Sequence, residues 1–241
     1  MLVLFTPGRR GGRDHAAVIA LTQLDTDEVL RYMGCPPEKA DGALRDQVEG
    51  CARELLGVVR PRWSWRVAGL SFEEEGVRLE NGLLLPGEDL KAHLAGCGRA
   101  AIFCATLGAE ADGLIRRAER LDMARALALD CCASAAVEEV CDQIEAELQG
   151  RFPGCSFPFR YSPGYGDLTL EVQGPLLDLL DAPRRAGLCV TSSDLLAPRK
   201  SVTAILGVSD GEIEKTKRSC LGCPAQGSCQ YRKAGGHCGI S

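Results

Sequence analysis

The chain has 241 residues, 45% of them hydrophobic and 25% charged, with a formal net charge of -5. The apolar share supports one or two domains with a good core and excludes global disorder, and the acidic balance excludes a general nucleic-acid binder. No run approaches the roughly 18 apolar residues that span a bilayer.

Thirteen cysteines follow a start, MLVLF, that lacks the positive flank of an export signal. They read as free thiols and ligands rather than a disulfide lattice, which predicts a cytoplasmic protein. In chain order, Asp25 with Glu28 three residues on forms a capping box ahead of Val29, Leu30 and Tyr32, and Pro36 and Pro37 end that helix. Leu44, Val48, Cys51 and Leu55 recur at spacings of three and four, one apolar helix face reaching about residue 58. Residues 63–70, 76–80 and 81–85 read as strands, and 88–95 as a short helix. The apolar run at 99–108 suits a buried central strand.

From 109 to 148 the pattern is helical, and about forty residues exceeds the usual length, so a break or kink is expected. Ala124, Ala126, Ala128, Cys131, Cys132, Ala133, Ala135 and Ala136 are small enough for another backbone to approach closely. Gly150, Pro153 and Gly154 stop the element. A short helix at 176–180 and strands at 188–192 and 201–208 complete the body. Cys51, Cys104, Cys131, Cys132, Cys141 and Cys189 sit in apolar or small-residue patterns and read as core packing. Neither His15 nor His93 has a visible metal or nucleophile partner. No Ser-His-Asp or paired-carboxylate arrangement stands out, so hydrolysis has little support. The organisation is an α/β body over 1–209 and a cysteine-rich appendage over 210–241.

That appendage carries Cys220, Cys223, Cys229 and Cys238 in a polar, glycine-rich stretch, with spacing C-x2-C-x5-C-x8-C. A segment with so few apolar side chains has little to pack with, and four thiolates on one metal would supply folding energy. Sulfur coordination suits either zinc or an iron–sulfur cluster, and the spacing does not choose between them. A reversible disulfide site and a tail of ordinary thiols are the other readings, and His237 is a substitute ligand. From Arg199 to Lys233 there are seven Lys/Arg against three Asp/Glu, a basic end suited to an anion or an acidic partner.

The other unusual segment is Phe159-Arg160-Tyr161-Ser162-Pro163-Gly164-Tyr165-Gly166-Asp167. Pro163 fixes one backbone angle and Gly164 tolerates positive φ, which predicts a type II turn. Arg160 and Tyr165 flank it with a forked cation and an aromatic face, suited to a carboxylate and a flat ring or sugar.

Residues 159–174 and 190–209 together resemble the reactivation domain of cobalamin-dependent methionine synthase, and more closely its stand-alone relatives. The likeness extends through the long Ala-rich helix from about residue 99. It implies an α+β fold, a twisted, mostly antiparallel sheet flanked by helices. It also implies a domain that binds S-adenosylmethionine and presents it to a corrinoid. An electron donor and that methyl donor would return oxidised cob(II)alamin to methylcobalamin.

By the resemblance, Arg160 would hold the methionine portion, Gly164 would give backbone contacts and Tyr165 would lie against the nucleoside. An acidic residue of the preceding helix, Asp130 or Glu138, would join them. The chain departs from the methionine synthase pattern in two places. Gly166-Asp167 stands where that motif continues into a proline and a histidine, and the cysteine appendage is an addition. The implied function is reactivation or servicing of a corrinoid methyltransferase, with cobalamin held by the partner. An iron–sulfur centre in the appendage could relay the required electron, whereas zinc could not. A non-catalytic, metal-stapled adaptor that docks a corrinoid protein is the alternative, and a small-molecule sensor is a third.

Overall fold

The computed structural model describes residues 19–213. It opens with α1 (Thr26–Tyr32), a 3-10 turn at Pro37–Lys39 and α2 (Gly42–Val58). Three strands follow, β1 (Arg62–Glu73), β2 (Gly76–Leu79) and β3 (Leu84–Pro86), then α3 (Glu88–His93) and β4 (Arg99–Thr106). Next come α4 (Ala109–Glu119) and α5 (Met123–Arg151). The last third holds α6 (Gln173–Leu179), α7 (Ala182–Arg185), β5 (Cys189–Val190), β6 (Leu196–Ala197) and β7 (Ser201–Val208).

Five strands form one sheet in the order β3-β2-β1-β4-β7, antiparallel throughout, and β5 pairs with β6 separately. The expected α+β class, an antiparallel sheet flanked by helices, is what this chain adopts. The predicted central strand is central, with β1 on one side and β7 on the other; Phe103 lies between Trp65 and Ala204.

Because strand side chains alternate, β4 feeds two cores. Ala101, Phe103 and Ala105 join Leu206 and Val208 under α1, α2, α4 and α5. Ala100, Ile102 and Cys104 join Ile205 under Leu90, Leu94, Leu176, Leu177 and Leu180 of the shorter helices. The expected helix break falls at 120–122, where the Asp122 carboxylate accepts from the Arg125 N–H at 3.0 Å and starts α5 afresh. The small residues of α5, among them Ala128, Cys132, Ala133 and Ala136, are fully buried, as close packing requires.

Several local expectations are corrected. Asp25 caps α1 through the N–H groups of Asp27 and Glu28, but the Glu28 carboxylate pairs with Arg31 instead of closing the box. Gly34, not the prolines, ends that helix. With φ +75° it lets Gly34 N bond Arg31 O and Cys35 N bond Leu30 O, the paired bonds of a Schellman motif. Residues 80–83 form the turn between β2 and β3 rather than the start of a strand. Cys51, Cys104, Cys131, Cys132 and Cys141 are buried as predicted, but Cys189 is exposed on the two-stranded ribbon. The appendage cysteines, His15 and His237 lie outside the described residues. No helix among the described residues is long and apolar enough to cross a membrane.

Candidate functional site

Isolated bridges Ser156↔Ser209 and Tyr161↔Ile205 lay the segment before the turn against β7. The chain then reverses as predicted: Tyr165 N donates to Ser162 O at 3.1 Å and Gly164 takes φ +91°. Gly164 N donates to Leu168 O at 2.7 Å, and Leu168 N to Tyr165 O at 3.1 Å, closing the loop on itself. The buried Tyr161 supports it from below, its hydroxyl donating to Tyr165 O at 3.2 Å. Burial, then Asp89 and Asp167, push the Tyr161 phenol up to about 12, so it remains a donor. Tyr165 itself is 51% exposed and offers its ring to solvent.

Arg160 points the other way, toward α5, with a side chain only 8% exposed. Its guanidinium donates to Glu138 at 2.6 Å through Nη2, and to Asp142 at 2.5 Å and Glu145 at 2.8 Å through Nη1. Residues 138, 142 and 145 are spaced by four and three, so they share one face of α5. Burial alone would lower the Arg160 pKa, but the Glu138 and Asp142 carboxylates outweigh it and hold the cation charged. Three carboxylates face one guanidinium and take three of its five N–H donors, so an incoming anion competes with them for Arg160. Asp142, at 62% exposure, is the most easily displaced. A surface depression of about 310 Å³ opens beside them, lined by Asp142, Glu145, Ala146, Gln149, Phe159 and Arg160.

The end of α1 borders the same region. The Tyr32 phenol is pushed up by burial and then by Glu138, with Tyr165 and Arg160 also within electrostatic reach. Tyr32 is 41% exposed, and the Arg31 guanidinium lies 5.2 Å from its ring centre.

Of the residues singled out from sequence, Arg160 and Glu138 meet as an ion pair, and Gly164 and Tyr165 form the turn that follows Arg160. Asp130 does not join them. It lies eight residues back along α5, roughly 12 Å at the helical rise, and pairs with Lys200 at 2.9 Å. Asp142 and Glu145 were missed, although their four-and-three spacing from Glu138 is readable once α5 is known to be continuous. Asp167, part of the departure from the family pattern, accepts from the Glu88 N–H at 2.7 Å and so caps α3. His93, which had no visible partner in sequence, sits with Nε2 2.7 Å from Phe159 O and its ring centre 4.2 Å from that of Phe159. Among the described residues, no group of three or more His, Cys, Asp or Glu is placed to hold a metal ion. The proposed ligands Cys220, Cys223, Cys229 and Cys238 lie beyond those residues.

No protein-family model matches the chain, and no curated protein matches it. Among solved structures it is similar to the MetH reactivation domain, crystallised with AdoHcy bound. The TM-score is 0.56 and the identity 12%, over 89% of this chain and 82% of that one. At that identity the likeness speaks to architecture: this chain has a fold similar to that of the MetH reactivation domain.

Proposed function

We propose that the chain is a cytoplasmic accessory protein that binds S-adenosylmethionine at the Arg160–Tyr165 turn. It would present the methyl group to the corrinoid of a partner methyltransferase, in reactivation of the methionine synthase kind. The observation that carries this reading is the Arg160–Glu138 ion pair at the start of the turn that exposes Tyr165, in a fold similar to that of the MetH reactivation domain. Tyr165 supplies an aromatic face for the nucleoside, Gly164 an approachable backbone and Glu138 an acceptor for the ammonium. Arg160 receives the ligand carboxylate in exchange for Asp142. The reaction moves a methyl cation from the sulfonium to cobalt reduced by one electron from an outside donor, and leaves S-adenosylhomocysteine. The chain's own part is orientation and exclusion of competing routes.

The reading extends to residues 210–241 as a separate appendage, with Cys220, Cys223, Cys229 and Cys238 as ligands of an iron–sulfur cluster or zinc. Its support is the spacing and the polar sequence around it. Ultraviolet-visible spectra and metal analysis of anaerobically purified protein test it, because iron absorbance supports an electron relay and zinc alone removes one.

One observation favours the second reading, a non-catalytic adaptor that docks a corrinoid protein: the Arg160 guanidinium is already engaged by three carboxylates of its own chain. Calorimetry separates the two. Binding of S-adenosylmethionine, weakened about tenfold in the exposed-site variant Tyr165→Ala, supports the first. No binding heat across the micromolar to millimolar range supports the adaptor.

A further inference from the structure

The ligand turn is braced from behind by α3. That helix starts at Gly87, with φ +119° and no side-chain cap of its own. Asp167 supplies the cap from 79 residues away: Oδ2 accepts from Glu88 N at 2.7 Å, and Oδ1 from Asp89 N at 3.2 Å. The fit is close. A side chain at position 87 would overlap the Asp167 carboxylate, and one at position 166 would overlap the Asp89 carboxylate and the Tyr161 hydroxyl. At the far end of α3, His93 meets Phe159 O at 2.7 Å and packs its ring at a tilt against those of Phe159 and Tyr161. The six-residue helix therefore grips the loop on both arms, at 159–161 and at 167.

We propose that Asp167 is a positioning residue: through α3 it locks the Arg160–Tyr165 turn into its ligand-receiving shape before any ligand arrives. This rests on the S-adenosylmethionine reading of that turn. Gly164 and Gly166 both have positive φ, and a loop with two such glycines has many conformations open to it when unrestrained. Freedom lost on binding is subtracted from affinity, and a cap that removes it in advance preserves that affinity. The residues that depart from the methionine synthase motif thus have an assignment in this chain: they fasten the turn to α3.

The test compares full-length wild type, Asp167→Ala and Asp167→Asn. Hydrogen exchange of the free proteins comes first, on the protected amides of Gly164, Tyr165 and Leu168. Asp167→Ala is expected to speed their exchange at least tenfold, whereas core amides of β4 stay unchanged. Asn, which keeps one acceptor, is expected to restore part of the protection. Calorimetry with S-adenosylmethionine should then show about tenfold weaker binding for Ala and an intermediate loss for Asn. Unchanged turn exchange in Asp167→Ala overturns the proposal, as does faster exchange with undiminished affinity. If the wild type binds no S-adenosylmethionine while Asp167→Ala still loosens the turn, the binding reading fails and the brace stands without a ligand role.

Discussion

The two faces of the sheet are built by different means. On one, α1, α2, α4 and α5 bury a broad apolar layer by periodic helix faces, much of it Ala and Cys along α5. On the other, α3, α6 and α7 are four to seven residues long, and side-chain bonds between distant residues tie them down. Ser64 Oγ donates to Leu180 O at 2.8 Å, Asp167 caps α3, and the buried Thr203 hydroxyl bonds Gln173 Oε1 at 2.5 Å. The 160–165 turn belongs to the second kind of construction, while the carboxylates that meet Arg160 come from the first. A rigid helix thus supplies the charges and a braced loop supplies the backbone.

Breaking the helical face should cost most. Phe103→Ala empties a fully buried position in β4 and is expected to lose about 3–5 kcal/mol, read from the denaturant midpoint. Alkali should act on both faces. Burial pushes the Cys104, Cys132 and Cys141 thiols up from 9.0 to about 12. The folded state therefore keeps protons that the unfolded chain releases, so stability is intact below pH 9 and falls as pH rises toward 12. The three together account for on the order of 4 kcal/mol by pH 10, measurable as a falling unfolding midpoint that Cys141→Ala makes shallower.

Arg160→Ala joins the two constructions in one experiment. It leaves three carboxylates facing one another, two of them well exposed and so partly relieved by water. The expected loss is about 2–3 kcal/mol, with Arg160→Lys milder, and an unchanged midpoint would show the pairs to be ornamental. The caps sharpen the contrast most finely. Asp41 caps α2 locally, accepting from Leu44 N at 2.8 Å, so Asp41→Ala is expected to cost about 1 kcal/mol globally. Asp167→Ala should loosen its own neighbourhood first. Smallest of all is a reactivity difference without stability change: at pH 8, mass spectrometry after iodoacetamide should find Cys189 alkylated and Cys104, Cys132 and Cys141 untouched in the folded protein.

The same division decides what sequence could foretell. β7 was predicted with its observed limits, β4 to within two residues and the α4–α5 break by length alone, because hydrophobic period and length are local signals. The Leu44, Val48, Cys51 and Leu55 stripe faces inward for the same reason. What escaped is long-range and polar. Nothing beside Asp167 in the chain announces that it caps the start of a helix 79 residues earlier. Nothing near His93 announces Phe159 O. Cys189 sits in an apolar run, yet in this two-residue strand it is Val190 that packs against the core, and the Cys189 thiol is left exposed. Of the site, the turn was legible from Pro163 and Gly164. That Glu138 meets Arg160 while Asp130 meets Lys200 needed the register of α5 against the last third of the chain.

The margins of the five-stranded sheet bear on how a partner protein can attach. One margin, β3, is three residues long and ends in Pro86, which has no N–H to donate. The other, β7, is bordered by the bridges at Ser156 and Tyr161. Among the described residues, neither offers a long free run of backbone for an incoming strand to zip onto. A protein docking on this sheet would read side chains, so complementary surface substitutions, rather than strand-mimicking peptides, are the tools to map such a contact.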